Sequence, residues 1–386
     1  MAGICLKRIR IMNKREISEI KKQFKKDNNA ITRICGCYVD AEKQIKTTLK
    51  EAFFALSEEE IFKYYEIFKK SLSGGIGKNL HNLEYSIHDE GPDSAHELLM
   101  KLRDEKLADD ETVDTFYNKV IENYEYGENY YIILIHAAYD IPKKAQDGME
   151  MFDASDDTYE YLMCSICPVK LDKAGLCYNA EKNSIEDRSR DWIVQAPDAG
   201  FLFPAFNDRN TDLHSMLYYT KNPENLQPAL MEEVFGCQTP LSAKGQKETF
   251  TELVAETLGS TCDYETVVNI HENLNELIEE KKDLPEPPTL TAPEVKNLLA
   301  RSGASEEEQY NSTAGEKTEF VATNLTSTKS MEVKTPDVIV KVSPEKAALL
   351  ETRVIDGRSY LLIQIDDAIE VNGVPVQAIR APEQDD

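Results

Sequence analysis

Apolar and polar residues alternate most densely between Tyr159 and Tyr219, and this stretch predicts a run of strands. From Glu160, one face carries Glu160, Leu162, Cys164 and Ile166; the other carries Tyr161, Met163, Ser165 and Cys167. Successive side chains point to opposite faces of a strand, so both faces here are largely apolar. Such a strand is expected to be covered on both sides. Pro168 cannot donate to a ladder and is expected to end it. Leu176 to Tyr178 and Trp192 to Gln195 are the next short runs, and the turn-rich Asn179–Asn183 between them suggests a hairpin. Gly200 to Phe206 and Leu213 to Tyr219 follow, the last closed by Lys221-Asn222-Pro223. Strands at this spacing indicate an antiparallel sheet. The only tryptophan, Trp192, falls inside this stretch, which reads as the heart of one large domain.

Elsewhere the period changes. Ile17, Ile20 and Phe24 form one stripe of a helix over about 14–26, flanked by Lys21, Lys22, Lys25 and Lys26. Ile31 to Val39 reads as a strand, with 44–53 as its hairpin partner across the turn at 40–43. Ser57-Glu-Glu-Glu60 is a capping box, opening a helix to about Leu72 that buries Ile61, Tyr64, Tyr65 and Phe68. A strand over 81–87, helices over 94–105 and 111–124, and a very apolar central strand over 130–139 follow. Residues 224–235, 245–258, 264–280 and 292–301 read as helices, interrupted by the stiff Lys281–Pro288. From Met331 the pattern is β again, with a strand over 338–342 and a hairpin around Asp356-Gly357. Asn372-Gly373 marks another turn.

The expected fold class is α+β: a mainly antiparallel sheet with packed helices, a helical segment and a small C-terminal β region. The expected organisation is a disordered appendage over 1–11, since the periodic pattern begins only after Met12. An α+β main domain over 12–223 follows, then a helical segment over 224–301. A linker over 302–330, rich in Ser, Thr, Glu and Gly, leads to a β region over 331–386.

Charge narrows the functional classes. The 386 residues carry 44 Lys and Arg against 70 Asp and Glu, a net charge of −26. Residues 1–50 hold thirteen basic and five acidic side chains, a net of +8, so the remainder carries 31 basic and 65 acidic, a net of −34. A body this acidic repels phosphate backbones, which argues against nucleic acid as a partner. The basic N-terminal helix is the exception, and docking onto the acidic body is its preferred reading. No apolar run approaches the twenty residues of a membrane span, and no secretory h-region follows Met1. The expected compartment is the cytoplasm, where the eight cysteines are reduced thiols.

The candidate chemistry is sparse. Cys164-Ser-Ile-Cys167 has the spacing of a redox pair or half a zinc site. Lying in a strand, its thiols point to opposite faces, and no second such pair exists; Cys177, Cys35, Cys37 and His214 would complete a site only by folding together. Buried small side chains are the preferred reading for Cys164, Cys167 and Cys177. Gly36, between Cys35 and Cys37, marks a bulge or a close backbone approach. Ser73-Gly-Gly-Ile-Gly-Lys78 resembles a phosphate loop, but Leu72 stands where the first glycine belongs and Asn79 where Ser or Thr belongs. It is expected to be a helix C-cap loop. The best polar cluster is Asn207–His214, a loop between two apolar strands. Asp208, Arg209, Asp212 and His214 would serve there as an acid–base set or a carboxylate metal site, with Arg188, Arg190 and Asp191 as further candidates. No cofactor is expected; zinc at the cysteines, or magnesium, is the minority reading.

The phrases TRICGCYVD (32–40), CSICPVKL (164–171), FLFPAFNDRNTDLHSMLYYTKNPE (201–224) and VKTPDVIVKV (333–342) resemble a bacterial family, the domain of unknown function numbered 4317, seen mainly in Firmicutes. The resemblance implies a bacterial, intracellular setting and transfers no activity. The tail's DVIVKVSPEK and RVIDGRSYLLIQI resemble the end of bacterial nucleoid-associated proteins. Three functions therefore stand as expectations. The first is a non-enzymatic cytosolic binding or scaffold protein with an unknown protein or small-molecule partner. The second is a metal-dependent hydrolase or nuclease-like enzyme using the Asp208–His214 loop. The third is a nucleic-acid binder acting through the basic N-terminal helix.

Overall fold

The long apolar stretches build a sheet too apolar to leave either face in water, and the helices cover both. The architecture comes from a computed structural model, which describes residues 11–28, 30–85, 94–144, 150–151, 157–259, 262–302, 319–365, 369–371 and 373–376. Two compact units emerge. The first comprises residues 1–245 with 284–287, the second 246–283 with 288–386.

The first unit opens with α1 (Lys14–Lys21), started by an Asn13/Glu16 capping box. The next elements are β1 (Ile31–Val39), β2 (Ile45–Ala52), α2 (Glu58–Ser71), β3 (Leu80–Glu84), α3 (Ala95–Asp104), α4 (Asp110–Asn123), β4 (Tyr130–Asp140) and β5 (Thr158–Leu171). Then come β6 (Leu176–Asn179), β7 (Ser184–Asp187), β8 (Trp192–Val194), β9 (Ala199–Phe203), β10 (Ala205–Asn207), β11 (Asn210–Asp212) and β12 (Ser215–Thr220). The main sheet runs β2-β1-β4-β5-β9-β12-β3, with β8 as an eighth strand beside the end of β5. Every pairing is antiparallel. The fold is α+β.

Strand alternation divides the core into two layers. Cys164, Leu162 and Ile166 of β5 pack with Leu99 and Leu102 of α3 and Val113, Phe116 and Val120 of α4. Tyr161, Met163 and Cys167 lie in the other layer, with Ile17 and Ile20 of α1 and Tyr65 and Phe68 of α2. The doubly apolar reading of β5 holds. The Ser57/Glu60 capping box of α2 also forms. Near the far end of α2, the Ser71 and Ser165 hydroxyls meet at 2.8 Å inside the core. The Ser73–Lys78 loop follows the C-terminus of α2 rather than opening a helix, with Gly74 and Gly77 at φ +110° and +77°.

Several expectations need correction. β5 does not stop at Pro168; it runs through it to Leu171. Its neighbour changes there, with β9 pairing up to Ile166 and β8 taking over at Val169. The Pro168 carbonyl accepts from the Gln195 amide in the connector between those strands, so the missing N–H falls where no ladder bond is due. The Asn179–Asn183 turn joins β6 to β7, not to the Trp192 strand, which adds to β5 instead. Trp192 is 55% exposed, at the rim rather than the heart of the domain. The helix expected over 224–235 shrinks to a π-helical segment, Leu230–Val234. Gln227 sits at φ +55°, a conformation that an α-helix does not use.

The second unit holds α5 (Ala243–Leu258), which begins just before it, then α6 (Tyr264–Glu280), β13 (Thr289–Leu290), α7 (Ala292–Arg301), β14 (Phe320–Val321) and α8 (Ala322–Leu325). Phe250, Leu253, Ile270, Leu274, Val295, Leu299, Phe320 and Leu325 form its core. Part of the stretch read as a linker is thus structured: β14 pairs with β13 and buries Phe320. The β tail forms three separate hairpins outside the main sheet: β15 (Met331–Lys334) with β16 (Ile339–Val342), β17 (Leu350–Ile355) with β18 (Arg358–Ile363), and β19 (Ile369–Val371) with β20 (Val374–Val376). Asp356 and Gly357, at φ +50° and +74°, make the expected two-residue turn. Residues 1–10, most of 303–330, Asn372 and residues 377–386 lie outside the described structure.

Candidate functional site

The Asp208–His214 loop is a tight hairpin held by the fold through Arg209 and Asp212. Asn207 faces Asn210 across β10 and β11, leaving Asp208 and Arg209 as the two turn residues. Both have positive φ, +52° and +57°, as a type I′ turn requires. The Asp212 carboxylate braces this hairpin from within. Its Oδ2 accepts from Asn207 Nδ2 at 2.8 Å and Ser215 Oγ at 3.0 Å, and its Oδ1 accepts from the His214 amide at 3.1 Å.

The turn is gripped by α1. Arg209 donates from Nε to both oxygens of Glu19 at 3.1 Å, and from Nη2 to Glu19 Oε1 at 2.9 Å and the Pro142 carbonyl at 3.0 Å. The Tyr139 hydroxyl donates to the same Glu19 at 3.0 Å. Glu16 is buried, and burial pushes its carboxyl above the usual range, while the amides of Asn13, Asp208 and Arg209 pull it back. α1 therefore docks through its acids and its apolar stripe of Ile17 and Ile20. The His214 ring stacks on His96 at 6.3 Å, and His96 Nε2 lies 2.8 Å from the Leu213 carbonyl. Arg188 and Arg190 both bond Asp172, beside the β6–β7 hairpin. Among the described residues, no group of three or more His, Cys, Asp or Glu side chains is placed to hold a metal ion.

The cysteines divide between the layers as strand alternation requires. Cys164 faces α3 and α4, Cys167 faces α1 and α2, and both are buried. Burial pushes both thiols far up, so they stay protonated and are poor nucleophiles and poor ligands. Burial pushes Cys35 up to about 11 and Cys37 up to about 12. Cys177 is half-buried on β6 and is not in either layer. Gly36 is a close approach, not a bulge: a Cβ there would lie 2.0 Å from the Tyr131 hydroxyl oxygen. The Tyr131 ring therefore lies across β1.

That ring leads to a feature the sequence reading missed. Tyr131 forms part of a cleft of about 540 Å³ on the α2 face of the sheet. Tyr38 of β1, Leu49 and Glu51 of β2, Glu60 and Tyr64 of α2, Val169 of β5 and Trp192 and Val194 of β8 line it. The Tyr64 and Tyr131 hydroxyls pair at 3.2 Å. Burial is the main cause raising both phenols above their usual range. Beyond the cleft, Ile193, Leu171, Leu176, Tyr178 and Ile185 are exposed apolar side chains of β5 to β8. The volume suits a small-molecule site. The one advance signal was a tryptophan in a three-residue apolar run bounded by charged and turn residues.

Comparison with known proteins gives a family without a function. The model of a domain of unknown function, DUF4317, matches residues 12–374. No curated protein matches the chain.

Proposed function

This chain belongs to the DUF4317 family, and we propose that it is a non-enzymatic binding protein whose working surface is the Trp192 cleft. The observation that carries this reading is the contrast between the two candidate sites. In the Asp208–His214 loop the Asp212 carboxylate is held by Asn207 and Ser215, and the Arg209 guanidinium by Glu19 and Pro142, all internal partners. The cleft instead presents aromatic and aliphatic side chains to solvent, the arrangement by which proteins recognise ligands. A cytoplasmic setting agrees with free thiols in both core layers. No described helix is long and apolar enough to cross a membrane.

Native mass spectrometry with elemental analysis of the purified full chain tests this reading. A binding protein is expected to show mass adducts of organic ligand or partner and no stoichiometric metal. Stoichiometric metal that disappears in Asp208→Ala and Asp212→Ala, with the fold intact, would instead establish the metal-dependent enzyme. Salt-sensitive retention on DNA, lost on removing residues 12–27, would establish the nucleic-acid reading. That reading is disfavoured because α1 turns its apolar stripe and two glutamates onto the body.

A further inference from the structure

We propose that the Trp192 cleft recognises a small organic cation, a quaternary or tertiary ammonium group carried on an apolar body. The inference rests on the binding reading above and names the ligand class for it. Four aromatic rings from four separate elements line the cleft: Tyr38, Tyr64, Tyr131 and Trp192. Among the described residues, both charged side chains lining it are carboxylates, Glu51 and Glu60, and no Lys, Arg or His does so. Aromatic faces carry negative quadrupole density, so rings and carboxylates together favour a positive, weakly hydrated group.

The sign of the site follows from strand alternation. Thr47, Leu49 and Glu51 share one face of β2. Lys50 points to the other, where it meets Asp110 of α4 at 3.0 Å. The edge strand thus directs its acid into the cleft and its base away. Glu60 is fixed there by its capping box, and the Ser57 hydroxyl and amide hold its carboxyl below the usual range, keeping it charged.

The other ligand classes fit less well. An anion would face two carboxylates with no compensating base. A bare divalent metal needs more oxygen donors than two carboxylates from separate elements supply, and it would gain little from the rings. A neutral apolar molecule would match the rings but leave the charge pattern unexplained. The overall charge of −26 also raises the local concentration of cations.

The test uses an isosteric pair differing only in charge: choline and 3,3-dimethylbutan-1-ol. Trp192 is the sole tryptophan, so its emission reports the cleft in the full-length chain without labelling. At constant ionic strength, choline is expected to change the emission saturably, with half-saturation about tenfold below that of the neutral isostere. The Glu51→Gln/Glu60→Gln double variant is expected to weaken the response several-fold, since glutamine still serves the capping box. Tyr64→Leu is expected to do the same. An equal response to both compounds would overturn the cation assignment and leave a binding cleft. No saturable response to either would also overturn it, and the native masses would then decide the binding reading separately.

Discussion

Gly36 shows what a single missing side chain does in this fold. The Tyr131 ring passes over it, and a methyl group there would meet the ring at 2.0–2.8 Å. Gly36→Ala is therefore expected to lower stability by about 1–3 kcal/mol, the usual cost of overpacking. In the Tyr131→Ala background the same change should cost much less, because the obstructing ring is gone. Denaturant midpoints of the four proteins check this; strictly additive losses would contradict it. The sequence left a bulge or a close backbone approach open at this glycine, and what approaches is a side chain, the Tyr131 ring. His136 gives a pH-dependent counterpart. It is buried with its Nδ1 2.7 Å from the Thr32 hydroxyl, and its Nε2 has no partner among the described residues. Burial, aided by Lys106, Arg103 and Arg33 and opposed by Glu160, lowers its pKa to about 4 from the usual 6.5. The folded protein thus disfavours the proton that the unfolded chain accepts. Its stabilising effect is present above pH 6.5 and is lost as pH falls towards 4, by up to about 3 kcal/mol. His136→Gln should flatten the stability profile across that window, and an unchanged profile would contradict the assignment.

At the scale of elements, α1 and the Asp208–His214 hairpin are one unit. Neither Glu19→Ala nor Arg209→Ala removes a catalytic group in this account; each breaks a half-buried, bidentate ion pair. Each should destabilise by about 2 kcal/mol, and the double variant by clearly less than the sum. Additive effects would mean that the two side chains do not depend on each other. Asp212→Ala should cost about 1–3 kcal/mol, because it strands the Asn207 amide and the Ser215 hydroxyl. The elements themselves were largely legible. Alternation marked β5 as covered on both faces, and Ser57-x-x-Glu60 placed the start of α2. What alternation does not encode is the neighbour. β8 and the β6–β7 hairpin are short runs with similar patterns, and only the third dimension shows that one extends the sheet while the other turns on itself. Pro168 misled for the same reason: its effect depends on whether a partner strand is present at that position. The candidate loop was legible as polar and rigidly held, but not as anchored through Arg209 to Glu19, which lies 190 residues away in sequence.

At the scale of the molecule, the cleft is assembled from residues between 38 and 194 that share no local motif. Six elements contribute to it (β1, β2, α2, β4, β5 and β8), and its four aromatic residues, Tyr38, Tyr64, Tyr131 and Trp192, stand far apart in the sequence. Its exposed tryptophan contributes little to folding, so Trp192→Ala should change stability by less than about 0.5 kcal/mol. That makes Trp192 a clean probe of function. The most direct test of the account is a thermal-shift comparison of the wild type, Trp192→Ala and Asp212→Asn against one panel of small molecules and divalent metals. The account predicts that compounds raising the wild-type melting temperature lose their effect in Trp192→Ala and keep it in Asp212→Asn. Shifts that survive Trp192→Ala and vanish in Asp212→Asn would contradict it.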